Sequence, residues 1–184
     1  MQDLTQLQAR LRQQRPVVWE QLPDFALYMD QVLSYMDRQV IGFDDGDILT
    51  AAMVNNYTKS GLVPRAKGKK YDREHLAYLT AICILKRVMS TRDMDLLIKQ
   101  ALTEQPDVSQ CYTAFCGSLG SALDRTADEI SALNGEGSLS DAAIHFALLS
   151  YAAGVASNRC VAQLRAQTEP DGGASEKKSR KERD

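Results

Sequence analysis

The sequence lacks the motifs that mark the common classes of enzyme. It contains no glycine-rich phosphate loop, no nucleophile elbow, no HExxH zinc motif and no dinucleotide-binding glycine pattern. It has two histidines, so a metal centre would need an unusual set of ligands. The acidic run at residues 44–47 is not part of a twelve-residue calcium loop ending in Glu. We therefore expect no enzyme activity, no metal and no other cofactor.

Features of secreted and membrane proteins are also missing. The four cysteines form neither a CxxC pair nor a regular disulfide framework. No apolar run approaches the roughly 20 residues needed to span a bilayer, and the first residues lack the pattern of a signal peptide. We therefore expect a cytoplasmic protein with no membrane partner. A chain of 184 residues, 44% hydrophobic and 25% charged, is typical of one globular domain or two small ones.

The charges that are present are unevenly distributed. The formal net charge is −2, yet residues 48–92 contain nine Lys and Arg against two acids. Residues 16–47 show the reverse, with seven acids and one base. A basic segment attracts nucleic acid, whereas an acidic surface is repelled by it. The basic segment is therefore the candidate for an interface with nucleic acid.

A short helix is predicted at the start of the basic segment. Thr50 is a suitable N-cap, Gly61 can adopt the left-handed conformation that ends a helix, and Pro64 prevents its continuation. The apolar face of this helix consists of Ala51, Val54 and Tyr57. The opposite face consists of Ala52, Asn55, Asn56 and Lys59. This second face suits the DNA major groove, because an Asn side chain can bond bidentately to adenine.

A short basic segment follows at residues 65–71, and we call it the wing. It is predicted to form a glycine-centred hairpin or loop. Basic residues in a wing contact phosphates, which set affinity and register rather than sequence preference. Asp72 then caps the next helix. The candidate base contacts are Ala52, Asn55 and Asn56, and the candidate phosphate contacts are Thr50, Lys59, Arg65, Lys67, Lys69, Lys70 and Tyr71.

Residues 49–64 and 69–76 resemble the recognition helix, wing and following helix of the MerR-type winged helix-turn-helix. The matching residues are Thr50, Val54, Tyr57, Gly61, Leu62, Val63, Pro64 and Tyr71. Departures lie where DNA would be read, since Asn55 and Asn56 replace Arg-Tyr and Met53 replaces Thr. The likeness implies binding to double-stranded DNA.

A wider likeness covers most of residues 17–165. The segments Leu22-Pro23, Tyr28-Met29-Asp30, Asn55-Asn56-Tyr57 and Lys69-Lys70-Tyr71 are similar to the bacterial domain-of-unknown-function 1836 family. Membership of that family implies no established activity.

The spacing of apolar residues predicts several further helices. One runs from about Phe25 to Val40, with Asp24 as its cap and an inner face of Phe25, Tyr28, Met29, Val32, Met36 and Val40. Another runs from Arg73 to about Met89 and is apolar on more than one side, so it should be buried. Ser90 and Asp93 predict a capping box for a short helix through Ile98. Later helices follow Pro106 and Ser138 or Ser140, the last ending near Gln167.

The two histidines and the arginines near the N-terminus are expected to have structural roles. His75 is expected to be an exposed residue at a helix cap, and His145 a core or interface residue. The first 15 residues predict a marginal amphipathic helix; a basic arm in the minor groove, through Arg10, Arg12 and Arg15, is the less favoured alternative.

Together these patterns predict an all-α fold, a MerR-like winged helix-turn-helix with a small β-wing plus a C-terminal helical hairpin. The expected divisions are an arm or marginal helix at 1–15, a DNA-binding domain at 16–105, a helical hairpin for dimerisation at 106–167 and a disordered tail at 168–184. The expected function is a sequence-specific transcriptional regulator, and we expect a homodimer. The alternative is a helical protein-interaction adaptor whose basic patch meets an acidic partner. The sequence identifies no small-molecule effector.

Overall fold

The structure is a computed structural model that describes residues 2–39, 48–133 and 138–168. Within these ranges it contains seven α-helices, a short 3-10 helix and one two-stranded sheet. The elements in chain order are α1 (Gln2–Gln13), the 3-10 helix (Trp19–Gln21), β1 (Leu27–Tyr28), α2 (Met29–Asp37), α3 (Ala51–Lys59), β2 (Lys70–Tyr71), α4 (Arg73–Leu85), α5 (Thr91–Glu104), α6 (Val108–Leu133) and α7 (Leu139–Thr168). The predicted all-α class is confirmed.

The chain divides into two compact units within helix α7. One unit extends to Phe146 and the other begins at Ala147. The domain limits expected near residues 105 and 167 remain predictions. Two expectations lie outside the described residues: the place of Val40 on a buried face and disorder of the tail beyond Thr168.

Helix α2 begins at Met29 and not at Phe25, which corrects the prediction. The preceding residues Leu27 and Tyr28 form strand β1, which pairs antiparallel with strand β2. Phe25 and Tyr28 are 63% and 50% exposed, so neither lies on the buried helical face that was predicted. Helical spacing failed here because the partner strand is distant in sequence, and only the folded chain brings the two segments together.

The start of α2 is also capped differently from the prediction. Tyr28, in an extended conformation, is the N-cap in place of Asp24. The Tyr28 amide donates a hydrogen bond of 2.9 Å to Gln31 Oε1, so one otherwise free backbone donor is satisfied. The predicted inner residues Val32 and Met36 are buried.

One hydrophobic core joins α2, α3, the sheet and α4. Val32 of α2 and Val54 of α3 are completely buried within it. Helix α4 contributes residues from most of its circumference, namely His75, Leu76, Ala77, Leu79, Thr80, Ile82 and Cys83. The predicted burial of this helix is confirmed. Its length is not, because α4 ends at Leu85 and Val88 is 75% exposed.

A second core lies between α1 and α6. Its buried members are Leu11, Ala127 and Ile130. At its edge Arg12 Nη2 lies 2.6 Å from Asp128 Oδ1, and Arg15 Nη2 lies 2.6 Å from Asp124 Oδ1. Helix α1 is therefore an integral part of the first unit. The alternative of a basic arm finds no support, because two of its three arginines are paired with acids of α6.

The predicted caps of α5 and α7 are confirmed, and α5 is longer than expected. Ser90 Oγ accepts a hydrogen bond from Asp93 N at 3.2 Å, and the helix continues to Glu104. Ser138 Oγ accepts from Asp141 N at 3.3 Å. Helix α6 begins at Val108, after Pro106, and runs through both of its glycines. A Cβ at Gly120 would lie 3.4 Å from Arg15 Nε, which is ordinary van der Waals contact.

Helix α7 exposes large apolar side chains along much of its length. Leu148, Tyr151 and Val155 are 62%, 72% and 53% exposed. By length and composition this helix is able to cross a membrane, which corrects the expectation that no segment approaches that requirement. One such helix is weak evidence for a membrane protein, because helices of soluble proteins meet the same criterion.

Replacing Gly61 with Ala should destabilise the protein by about 1–2 kcal/mol, because Gly61 has a φ of +80° that side chains with a Cβ tolerate poorly. Replacing Gly117 with Ala should instead stabilise it by about 0.5–1 kcal/mol, because Gly117 is helical and nothing lies within 4 Å of the added Cβ. Urea denaturation of both variants measures the two changes. Equal effects of the same sign would contradict the conformational assignment of Gly61.

Candidate nucleic-acid interface

Helix α3 is closed at both ends by local hydrogen bonds. At its start Thr50 Oγ1 accepts from Met53 N at 3.3 Å, as the sequence predicted. At its end Leu62 N donates to Tyr57 O at 2.9 Å, and Gly61 N donates to Thr58 O at 3.2 Å. This pair of bonds around a left-handed glycine is the Schellman motif. A helix of nine residues is thereby fixed at both ends without help from the face that it turns outward.

The two faces of α3 separate as predicted. Val54 is completely buried, and Tyr57 packs against the core from a half-buried position. The outward residues Ala52, Asn55, Asn56 and Lys59 are all exposed. Within the described part of the chain, the side-chain amides of Asn55 and Asn56 have no hydrogen-bonding partner. The amide-bearing face is therefore open to a ligand.

The wing forms a tight hairpin around Gly68 and Lys69. Lys67 N donates to Lys70 O at 3.2 Å, and Lys70 N donates to Lys67 O at 3.1 Å. Gly68 and Lys69 have φ values of +59° and +63°, as the two central residues of a type I′ turn require. The turn thus holds three lysines close together in sequence on a defined backbone.

All four basic residues of the wing are exposed. They are Arg65, Lys67, Lys69 and Lys70, and Lys70 Nζ lies 5.1 Å from the centre of the Tyr28 ring. Tyr71, a predicted phosphate contact, lies in the core with 6% of its surface exposed, so we exclude it from the interface. Lys70 is exposed and Tyr71 is buried because successive side chains of a strand point to opposite faces.

The wing leads directly into the N-terminus of α4, which is closed by an Asp72–His75 pair. Asp72 Oδ1 accepts from His75 N at 3.3 Å and lies 2.5 Å from His75 Nδ1. His75 is 3% exposed and packs edge-on against Tyr71, with ring centres 5.3 Å apart. The histidine is a cap residue as expected, but it is buried and not exposed. The apolar Tyr71 ring covers it, which the local sequence did not reveal.

The charge of Asp72 is stabilised where it lies. Partial burial raises the pKa of its carboxyl group, but the hydrogen bonds with His75 and the nearby charge of Lys67 outweigh burial, so the pKa falls below its ordinary value. Asp72 therefore stays ionised at neutral pH beside the basic wing.

Helix α2 and strand β1 support both parts of the surface. Helix α2 contacts α3, β2 and α4, and β1 pairs with β2. Tyr28 and Trp19 were not predicted to matter near the wing. The Tyr28 ring lies beneath Lys70, and Arg73 lies 5.7 Å from the Trp19 ring. Strand pairing between distant segments produces the first of these contacts, so no local pattern indicated it.

The acidic segment remains on the surface as well. Its described carboxylates, those of Glu20, Asp24, Asp30 and Asp37, belong to exposed residues. Among the described residues no group of three or more His, Cys, Asp or Glu side chains could hold a metal ion. His145, expected in a core or interface, is half-buried and lies 3.2 Å from Glu129.

Comparison with known proteins yields one match. The family model described as a domain of unknown function (DUF1836) matches residues 17–115, which include α2, α3, the wing, α4 and α5. No curated protein and no solved structure matches the chain.

Replacing Asp72 with Ala should destabilise the protein by about 1 kcal/mol at pH 7, because α4 loses its N-cap. Asp72→Asn, which keeps an acceptor oxygen, should cost less. Because the folded pKa of Asp72 is lowered, the carboxylate contributes stability above its unfolded pKa near 3.9, and this contribution disappears as the pH falls through the folded pKa. Thermal denaturation between pH 2 and pH 7 measures the stability of the wild type and of Asp72→Ala. The difference between them should decrease at low pH. A stability difference independent of pH would contradict this role.

Proposed function

We propose that this chain, which belongs to the DUF1836 family, is a sequence-specific DNA-binding transcriptional regulator with a MerR-like winged helix-turn-helix. Helix α3 lies in the major groove, and the wing contacts the phosphates beside it. The observation that carries the proposal is the exposed face of Asn55 and Asn56, whose amides have no partner within the described protein and lie close in sequence to exposed lysines.

The amides contribute little to folding, which supports a role in binding. Asn is a poor helix former because its side chain competes for backbone hydrogen bonds, and it costs about 0.6 kcal/mol relative to Ala. Two consecutive asparagines on the solvent face of a short helix therefore weaken α3. In the major groove the same side chains can each bond to the N6 and N7 positions of an adenine, and small Ala52 permits close approach.

The electrostatics of the surface favour phosphate. Lys59, Arg65, Lys67, Lys69 and Lys70 are exposed, and the first turn of α3 contains no acid that would neutralise the positive end of its dipole. Thr50 and the free amides of that turn can therefore also meet a phosphate. These contacts set affinity and orientation, while the amides set sequence preference.

The connection between α2 and α3 departs from a simple helix-turn-helix. Residues 38–50 separate the two helices, whereas the motif ordinarily has a turn of about 3–4 residues. The direct contact between α2 and α3 nevertheless gives α3 the support that the first helix of the motif provides. The proposal therefore depends on the recognition helix and the wing and not on the connecting segment.

Helix α7 supports a homodimer. Ile144, Leu148, Tyr151 and Val155 are exposed and follow one another at intervals of four, three and four residues. This spacing is that of a coiled-coil seam. Pairing of two copies through α7 would cover the stripe, and two-fold symmetry would then require a palindromic DNA site with half-sites about one helical turn apart or a multiple of it.

Asn55→Ala should weaken binding to the preferred DNA site by about 1–3 kcal/mol and relax the sequence preference. Lys69→Ala should weaken binding to all sequences similarly and reduce the salt slope by about one unit. The preferred site is selected from a genomic fragment pool, and mobility shifts at two salt concentrations measure both changes.

The matched control is Lys99→Ala, which removes an exposed lysine of α5 that lies 2.7 Å from Asp95 and outside the proposed surface. This variant should bind DNA as the wild type does. If the wild type binds no fragment, or if all three variants bind equally, the regulator proposal is wrong and the protein-interaction adaptor becomes the preferred function.

Leu148→Glu should convert the homodimer to a monomer, because it places a charge in the centre of the apolar stripe on α7. Ala153→Glu, on the opposite face of the same helix, should leave the dimer intact. Sedimentation velocity at micromolar concentration distinguishes the two. A monomeric wild type, or a Leu148→Glu variant that stays dimeric, would contradict the assignment of this stripe.

A further inference from the structure

An open cavity of about 360 Å³ lies between helices α4, α5 and α6 in the first unit. Apolar side chains form nearly all of its wall, and no charged side chain lines it. Helix α4 supplies Ala81, α5 supplies Leu97, Ala101 and Leu102, and α6 supplies Cys111. All of the residues that line the cavity lie within the part of the chain that matches the DUF1836 family.

The polar groups at the cavity are few and stay uncharged. Cys111 Sγ donates to Gln105 O at 3.1 Å, and Tyr112 donates its hydroxyl proton to Val17 O at 2.7 Å. Burial raises the pKa of the Cys111 thiol, and the charge of Asp107 adds to the effect. Burial likewise raises the pKa of Tyr78, with a further contribution from Glu74. The acids near the cavity would repel an anionic ligand.

We propose that this cavity binds an uncharged, largely apolar small molecule. Its volume is within the range of small-ligand sites, roughly 300–1,000 Å³, and its wall is apolar as such sites usually are. A charged group placed there would lose its hydration and find no opposite charge among the lining side chains, which is costly. The proposal is independent of DNA binding.

The small residues in the wall indicate that the cavity is a ligand site and not a packing defect. Ala77, Ala81 and Ala101 contribute small side chains to the wall; Ala77 is buried, Ala81 is half-buried and Ala101 is exposed. Protein interiors are close-packed, and the wall of an unfilled void loses dispersion contacts. The small side chains of Ala81 and Ala101 therefore leave open a volume that larger apolar residues would reduce.

A ligand in this cavity would contact the helix that follows the wing. Ala77 and Tyr78 line the cavity from α4, within two turns of the Asp72–His75 cap. Tyr112 also lines the cavity, and its ring centre lies 6.2 Å from that of Trp19. Since Trp19 is the single tryptophan of the chain and lies beside a lining residue, we expect its fluorescence to change when the cavity is occupied.

The test is titration of the full-length protein with N-phenyl-1-naphthylamine, an uncharged fluorescent probe. We expect saturable binding of one probe per chain, with quenching of Trp19. Ala81→Leu should weaken binding about tenfold or more, because Ala81 is half-buried in the wall and the added carbons occupy the site. Ala122→Leu, at an exposed position of α6 outside the cavity, is the matched control and should bind like the wild type.

The anionic relative 8-anilino-1-naphthalenesulfonate should bind at least about tenfold more weakly than the uncharged probe. Thermal denaturation verifies that Ala81→Leu is folded, and Ala101→Leu provides a second variant if it is not. Binding that does not saturate, equal affinity of the filled and control variants, or equal affinity for the two probes would overturn the proposal. None of these outcomes depends on whether the protein binds DNA.

Discussion

The antiparallel pairing of Leu27–Tyr28 with Lys70–Tyr71 is the constraint on which the geometry of the proposed interface depends. It joins the start of α2 to the wing, and α2 in turn contacts α3. Because β2 ends at Tyr71 and Asp72 is the cap of α4, the same pairing fixes where the next helix begins. Two residue pairs are marginal as an isolated ribbon, so the sheet is stable only through the core beneath it. The buried side chains of Leu27 and Tyr71 provide that attachment.

Stability and binding are divided between the two faces of each element. Val54 and Tyr71 lie in the core, whereas Asn55 and Lys70, their neighbours in sequence, are exposed. The inward residues fix the backbone, and therefore the outward residues can be chosen for a ligand. The type I′ turn has the same property, because its conformation depends on Gly68 and on hydrogen bonds between backbone atoms. Its lysine side chains remain available to phosphate.

Local chemistry explains which parts could be predicted from the sequence. Thr50, Gly61, Asp72 and Ser90 act within a few residues of themselves, so their caps and turns were predictable. The start of α2 and the burial of Tyr71 depend on a strand pairing between distant segments, so the sequence predicted neither correctly. His75 was expected to be exposed as a cap residue, but the Tyr71 ring, only four residues away, covers it. The exposed face of α3 followed from helical periodicity. The cavity did not, because its lining residues come from three separate helices and reveal a shared space only after the helices have packed.

Helix α4 connects the proposed interface to the proposed ligand cavity. Its first turn is closed by Asp72 and His75 next to the wing, and its second and third turns line the cavity through Tyr78 and Ala81. If α4 had two placements, a ligand that bound one of them more tightly would increase the population of that placement. The increase would be limited by the difference between its two affinities. The wing enters α4 without an intervening loop, so a shift of this kind would reach the lysines only if it moved the first turn of α4. The coupling would also be reciprocal, so that DNA would change ligand affinity by the same factor.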